Sequence, residues 1–138
     1  RLGLKKYISS YIDKEDFLPA VGQGALGIEI HSGNKFVEEV LQSIHDENTY
    51  LAVLAERALL RTLEGGCQVP IGAFAEVKPN GLYLDGLVGS IDGTLTFRKK
   101  IRGKKSDAEK IGNSLAKDLL KAGAKEILDD VYKNVRLK

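Results

Sequence analysis

The chain has one cysteine, three prolines and no methionine in 138 residues. One cysteine cannot form a disulfide within the chain, which is typical of a reducing compartment, so we expect a cytoplasmic protein. No apolar run approaches the ~20 residues of a membrane-spanning helix, and the chain opens at Arg1 without a signal-peptide pattern. We therefore expect no membrane partner. The missing initiator methionine indicates a processed or excised piece.

The chain also lacks a large excess of either positive or negative charge. The chain has 21 Lys and Arg against 19 Asp and Glu, a net charge of +2, which is too mild to predict a polyanionic partner. Hydrophobic residues make up 43% of the chain and charged residues 29%, which provides for one hydrophobic core. His31 and His45 have no partners at metal-ligand spacing, so we predict no metal site.

Residues 1–33 lack a regular period. The apolar residues between Leu2 and Ile12 fit a short helix, and residues 25–30 read as a strand without a hairpin partner nearby. Gly22 and Gly24 make the preceding segment bendable. We expect residues 1–33 to be the end of a preceding domain and an interdomain crossover, with the strand's sheet outside this chain.

Helical patterns flank the centre of residues 34–138. Apolar residues at helical spacing predict one helix over 36–44 and another from about Asn48 to Leu63, with Asp46 as N-cap and Gly65 as its left-handed end. A capping box over 106–109 predicts a third helix that ends at Gly123, and residues 127–132 predict a fourth.

Between these helices the pattern changes to alternation. Apolar residues alternate over 71–77, 82–88 and 95–101, with turn residues at 79–81 and 92–93. Gly86 and Gly89 predict bulges or close approaches. The order α-α-β-β-β-α-α predicts an α+β domain over 34–138, with a three-stranded antiparallel sheet, helices on one face and water on the other.

The single cysteine lies on a predicted bend. Gly65 and Gly66 permit a sharp turn before Cys67, and Pro70 prevents the helix from continuing. The helix C-terminus and Glu64 do not favour a thiolate. Cys67 therefore suits a site that is alkylated once and kept better than a turnover nucleophile. A small buried hydrophobe remains the alternative interpretation of a lone cysteine.

Two stretches resemble signatures of the porphobilinogen deaminase (hydroxymethylbilane synthase) family. They are Leu63–Gly72 and Phe17–Glu29, and Ala55–Ala58 between them also fits the family. The resemblance covers essentially the whole chain in the family's order. It matches only the C-terminal portion of the family's longer enzymes.

This resemblance implies a transferase of porphyrin and heme biosynthesis. Its enzymes condense four porphobilinogen units into hydroxymethylbilane with loss of ammonia, on a dipyrromethane cofactor. The resemblance implies that Cys67, next to Gly66, holds this cofactor through a thioether. It also implies that Gln23 and Gly24 approach the pyrrole chain; the alternative is that the glycines only shape the crossover.

The same resemblance places the catalytic and carboxylate-binding groups upstream. We therefore assign no catalytic residue here and expect the chain alone to be inactive. Its expected partners are porphobilinogen, the growing pyrrole chain and the upstream domains of the same protein. Glu56 and Arg57 read most simply as a solvated or interdomain charge pair.

A double-stranded-RNA-binding-like module is the competing hypothesis. Those modules share an α-β-β-β-α order, and Lys104 and Lys105 precede a helix as their phosphate-binding lysines do. Basic residues between Arg98 and Arg102 extend the patch. The low net charge favours a solvated strand face instead, and the two signatures stay unexplained by this hypothesis. We therefore predict no nucleic-acid partner.

Overall fold

A computed structural model describes residues 2–64 and 69–136. A short 3-10 helix, Lys5–Tyr7, precedes two α-helices, α1 (Lys35–Gln42) and α2 (Glu47–Thr62). Three strands follow, namely β1 (Ile71–Lys78), β2 (Gly81–Gly89) and β3 (Thr96–Gly103). The 3-10 helix Lys105–Asp107 then leads into α3 (Ala108–Leu119), a π-helical turn (Leu120–Ala124) and α4 (Lys125–Arg136). None of the helices among the described residues is long and apolar enough to cross a membrane.

The three strands form an antiparallel sheet in the order β1-β2-β3, as predicted. Ala73 pairs with Gly86 and Leu84 pairs with Ile101, without a break in either register. Because side chains alternate along a strand, Ala75, Leu84 and Ile101 point to one face of the sheet. We call this the inner face; Phe74, Asp85 and Lys100 lie on the outer face.

Helices α2 and α3 cover the inner face, which confirms the predicted two-layer α+β fold. Leu59 of α2 and Leu119 of α3 are fully buried in this layer. Gly86 lies beneath them, where an added Cβ would be 2.8 Å from Leu59 Cδ1. Gly86 is therefore the close approach that the sequence predicted, and the continuous register shows that it is no bulge.

The contact between α2 and α3 depends on a glycine. A Cβ added at Gly112 would lie 2.2 Å from the carbonyl oxygen of Ala55 and 2.7 Å from Ala58 Cβ. Only hydrogen fits there, so the two helices meet backbone to backbone.

The predicted helix ends are partly right. The Asp46 side chain accepts a hydrogen bond from the Thr49 amide at 2.6 Å, which confirms the predicted N-cap of α2. Gly65 lies outside the described residues; the left-handed residue seen after α2 is Glu64, with φ 53°.

The predicted capping box of α3 is wrong. Asp107 is the N-cap, but its side chain makes no capping hydrogen bond. A 3-10 turn enters the helix, and Glu109 instead pairs with Arg61 of α2 at 2.9 Å.

Residues 2–33 are mostly irregular. Only Lys5–Tyr7 of the predicted first helix is helical, and residues 25–30 form no strand. A strand requires hydrogen bonds from a neighbour, and the predicted partner sheet was expected outside this chain. Residues 14–22 instead cross the sheet, so its outer face is partly covered rather than wholly wet. The domain boundary at 33/34 stays a prediction.

Candidate functional site

The predicted attachment residue, Cys67, and its neighbour Gly66 lie outside the described residues. The residues on both sides of 65–68 are described. Leu63, directly after α2, is 2% exposed, and Val69, just before β1, is 7% exposed. The Tyr132 hydroxyl also donates to the Glu64 carbonyl. The core of the domain therefore holds the described residues on both sides of 65–68.

Gln23 and Gly24 lie in an exposed turn that we call the Gln23 turn, residues 20–24. The Gln23 amide donates to the Ala20 carbonyl at 3.0 Å, and Gln23 Oε1 accepts from the Ala20 amide at 3.1 Å. Gly22 and Gly24 have φ of 70° and 87°, values that favour glycine. The side-chain oxygen of Gln23 therefore stabilises the turn in which Gln23 itself lies. The role of Gln23 and Gly24 towards a pyrrole chain stays a prediction.

The fold brings the two signature stretches into contact. The Ala73 amide of β1 donates to the Pro19 carbonyl at 3.0 Å. A Cβ added at Gly72 would lie 3.0 Å from Leu18 Cβ, so Gly72 admits the crossing segment. Leu18 is itself 8% exposed. The segment before the Gln23 turn therefore lies against the strand that leaves the Cys67 loop.

Of the two alternatives predicted for Glu56, a solvated or an interdomain charge pair, the solvated one is wrong, because only 6% of the residue is exposed. Its Oε2 accepts from the Gly22 amide and its Oε1 from the Ala75 amide, each at 2.7 Å. Burial raises the pKa of the Glu56 carboxyl, although the two amides oppose that shift. Arg57, its neighbour, is exposed as expected.

A signal for this burial was present in the sequence. Glu56 precedes the buried Leu59 by three residues and Leu63 by seven, which places all three on one side of a helix. The prediction followed the common rule that glutamate is rarely buried. It did not allow for a carboxylate that backbone amides satisfy.

Charged side chains on the outer face of the sheet bind residues 14 and 15 of the crossing segment. Arg98 contacts both carboxylate oxygens of Asp85, at 3.0 and 2.7 Å. It also donates to the carbonyls of Lys14, at 3.0 Å, and of Glu15. Lys100 pairs with Glu15, and that hydrogen bond raises the pKa of Lys100.

These pairs bear on the RNA hypothesis. Arg98 and Lys100 belong to the predicted basic patch, but their charges are already opposed by Asp85 and Glu15. A phosphate backbone would have to compete with those carboxylates.

Within residues 2–64 and 69–136, no cluster of three or more His, Cys, Asp or Glu could hold a metal ion.

Comparison with known proteins gives two family matches. Residues 50–121 match the family described as "Porphobilinogen deaminase, C-terminal domain". Residues 1–39 match "Porphobilinogen deaminase, dipyromethane cofactor binding domain", which names the predicted cofactor.

Curated relatives are similar along nearly the whole chain. The porphobilinogen deaminase of Syntrophobacter fumaroxidans is 49% identical over 96% of the chain. Those of Carboxydothermus hydrogenoformans and Alkaliphilus metalliredigens are each 46% identical, over 97% and 99% of the chain. The chain spans 43% of the length of each relative. Since the C-terminal-domain family alone matches more than half of the chain, the chain belongs to the porphobilinogen deaminase family.

Proposed function

We propose that this chain is the part of a porphobilinogen deaminase that tethers the dipyrromethane primer through Cys67. In the longer protein, four porphobilinogen units are condensed into hydroxymethylbilane and ammonia is released. The observation that carries the proposal is the contact between the two signature stretches at Leu18–Gly72, together with the hydrogen bond from Ala73, the residue after the second stretch, to Pro19. That contact brings the crossing segment, which leads into the Gln23 turn, to the strand that follows residues 65–68.

One thiol is enough for the attachment that we propose. Cys67 would hold the group through Sγ, and the thioether would form with loss of ammonia. A thioether does not hydrolyse as a thioester does, so the tether persists through repeated turnover. The bound group supplies a free pyrrole end for chain growth. The buried Leu63 and Val69 hold the ends of the loop, while Glu64 and Pro70 are exposed.

The groups that move protons during condensation are proposed to lie upstream. Chain growth needs a general acid or base near the reacting pyrrole, together with cations for its carboxylates. Glu56 is occupied by two backbone amides and Arg98 by Asp85. These described groups are therefore committed to structure, which supports assigning no catalytic residue to this chain.

The upstream domains are the proposed partner of residues 2–46. Large apolar side chains are exposed there, including Tyr11 at 82% and Leu26 at 91%. Helix α1 buries none of its eight residues, although Phe36 and Val40 share one side of it. An opposing protein surface would remove this apolar area from water. A cytoplasmic location is proposed as well, from the single cysteine in 138 residues.

The attachment can be tested in a joined protein. The upstream part of the Syntrophobacter fumaroxidans relative would be placed before this chain, and the purified product mapped by peptide mass spectrometry. We expect an adduct of two pyrrole units on the Cys67 peptide and none in Cys67→Ser. An unmodified Cys67 peptide from fully active protein would contradict the proposal.

The 138-residue chain alone is the matched control. Incubated with porphobilinogen, it should release neither ammonia nor bilane, because the upstream groups are missing. Turnover above background by the isolated chain, with full-length enzyme excluded, would place catalytic groups within it.

A further inference from the structure

Glu56 joins three parts of the structure through one carboxylate. It belongs to α2, whose end leads into the Cys67 loop. Its Oε1 accepts from Ala75 on β1, the strand that leaves the loop, at 2.7 Å. Its Oε2 accepts from Gly22 in the Gln23 turn, also at 2.7 Å. One side chain therefore fixes the turn to both elements that flank the loop.

The Ala75 amide is available because β1 is an edge strand. The amides of Ala73 and Ala75 face away from β2 and need partners outside the sheet. Pro19 supplies a carbonyl to Ala73 and Glu56 supplies an oxygen to Ala75. The crossing segment and Glu56 thus occupy two successive bonding positions of this edge.

We propose that Glu56 is a positioning residue that holds the Gln23 turn in a fixed place relative to α2 and β1, the elements on either side of residues 65–68. The inference rests on the proposed function, because it assigns Glu56 to the geometry of the same tethered pyrrole chain. Glu56 acts through the Gly22 amide and contacts no reacting atom.

A carboxylate is the group that this place requires. Two amide donors converge on it, and each needs its own acceptor oxygen. Glutamine has one oxygen and one NH2 group, so it would leave one amide facing another donor. Burying a charge is costly unless it is hydrogen bonded. A position that served packing alone would be filled better by an apolar side chain.

The first test is amide hydrogen exchange in the 138-residue chain, resolved by residue. Glu56→Gln should accelerate exchange at Gly22 or Ala75 by about tenfold, the loss of one hydrogen bond to a charged acceptor. Glu76→Gln is the matched control, because Glu76 bonds Lys14 and Lys78 rather than these amides. Equal exchange in both variants would overturn the proposal. If Glu56→Gln does not fold, Glu56→Asp keeps both oxygens with a shorter reach and should give the same pattern more weakly.

The second test uses the joined protein and separates loading from turnover. The fraction of Cys67 carrying the adduct is measured by mass, and kcat and KM are measured per loaded molecule. Glu56→Gln, or Glu56→Asp in its place, should lower kcat about tenfold or more, since a small displacement of a positioned group is enough to slow a reaction. Glu76→Gln should match the parent protein.

Val131→Ala serves as a control for general destabilisation, since Val131 is buried at 4% exposure on α4. If it lowers kcat per loaded molecule as much as Glu56→Gln does, the positioning role is overturned. Unchanged kcat in Glu56→Gln with accelerated exchange would overturn it too and leave a structural role alone. If the parent joined protein is active while its Cys67 stays unmodified, the proposed function itself fails, and this inference fails with it.

Discussion

The described residues of 47–133 bury or half-bury most of their apolar side chains, whereas residues 2–46 leave most of theirs in water. In the first region Leu59 and Leu119 have no exposed surface, while in the second Tyr11 and Leu26 are more than four-fifths exposed. Among the described residues 2–46, Leu18 alone is buried. Both regions contain leucine, isoleucine and aromatic residues, so composition does not explain the difference. The difference is whether an opposing element is present.

The comparison also separates two kinds of attachment. The 47–133 region is held by a continuous apolar layer between helices and sheet. The 2–46 region is fastened to it at a few polar points, mainly through Glu56, Arg98 and the Pro19 carbonyl. The two family matches, over 50–121 and 1–39, follow the same division. Stability should therefore reside almost wholly in the first region, and six substitutions probe that claim.

The largest effect is expected from truncating a core leucine. Leu59→Ala should lower the free energy of unfolding by about 2–5 kcal/mol, because Leu59 is fully buried between α2 and the sheet. Leu26→Ala, at a residue 91% exposed, should change it by less than about 0.5 kcal/mol. Urea denaturation of both variants measures the difference. Similar losses would mean that the two regions share one core.

Glycine-to-alanine substitutions compare the packing of the two regions by adding an atom rather than by removing atoms. Gly112→Ala should destabilise by about 3 kcal/mol, since its Cβ would lie 2.2 Å from the Ala55 carbonyl oxygen and force α2 and α3 apart. Gly27→Ala should be close to neutral, because an added Cβ there meets nothing within 4 Å. Thermal unfolding followed by circular dichroism compares them. A neutral Gly112→Ala would contradict the backbone contact.

Leu18→Ala tests an apolar contact that joins the regions. Leu18 is 8% exposed and packs beside Gly72 at the edge of the core. We expect a loss of about 2 kcal/mol, the lower end for a buried leucine, because the crossing segment can relax into the gap. Urea denaturation measures it. A loss as large as that of Leu59→Ala would place Leu18 within the main core.

The smallest effect is expected at Glu76, which pairs with Lys14 at 2.9 Å and Lys78 at 3.2 Å. Its hydrogen bond to Lys14, and then that to Lys78, lower the pKa of Glu76 below its ordinary 4.5. A lowered carboxyl pKa gives stability that is present above the ordinary value and is lost as pH falls through the lowered one. Since Glu76 and Lys14 are about two-fifths exposed, Glu76→Gln should cost less than about 1 kcal/mol at neutral pH.

That cost should also depend on acid and salt. It should vanish well below pH 4.5 and shrink in high salt, as for a screened surface pair. Denaturant titrations of wild type and Glu76→Gln at several pH values measure it. A difference that persists unchanged into acid would show that the ion pair is not its cause.

The sequence predicted the 47–133 region well because its periods are strong. Strand alternation over 71–77 and 82–88 and the apolar stripe ending at Leu63 each reflect burial against a partner inside the chain. The fold class followed from their order.

The prediction failed where the partner was polar or lay elsewhere. Residues 25–30 have the pattern of a strand but no strand beside them in the described structure. Glu109 matched a capping box, yet Arg61 on α2 binds it instead. Glu56 was assigned to a solvated or interdomain charge pair because residue type outweighed its position on the helix. Such contacts are made by residues distant in sequence, so a local sequence pattern does not reveal them. The predicted roles of Gln23 and Cys67 towards the pyrrole chain also depend on residues distant in sequence.

The occupied edge of β1 has a consequence for the behaviour of the protein in solution. Sheet edges recruit strands from other molecules when their amides are free, and this is a common route to aggregation. Here an extended segment of a second copy would have to displace both Pro19 and Glu56 before it could bond Ala73 and Ala75. The other edge strand, β3, carries Lys99 and Arg102 beside the paired Arg98 and Lys100, and charged side chains on an edge disfavour pairing with an identical strand. The segment that crosses the sheet therefore also disfavours pairing of the β1 edge with a second copy of the chain.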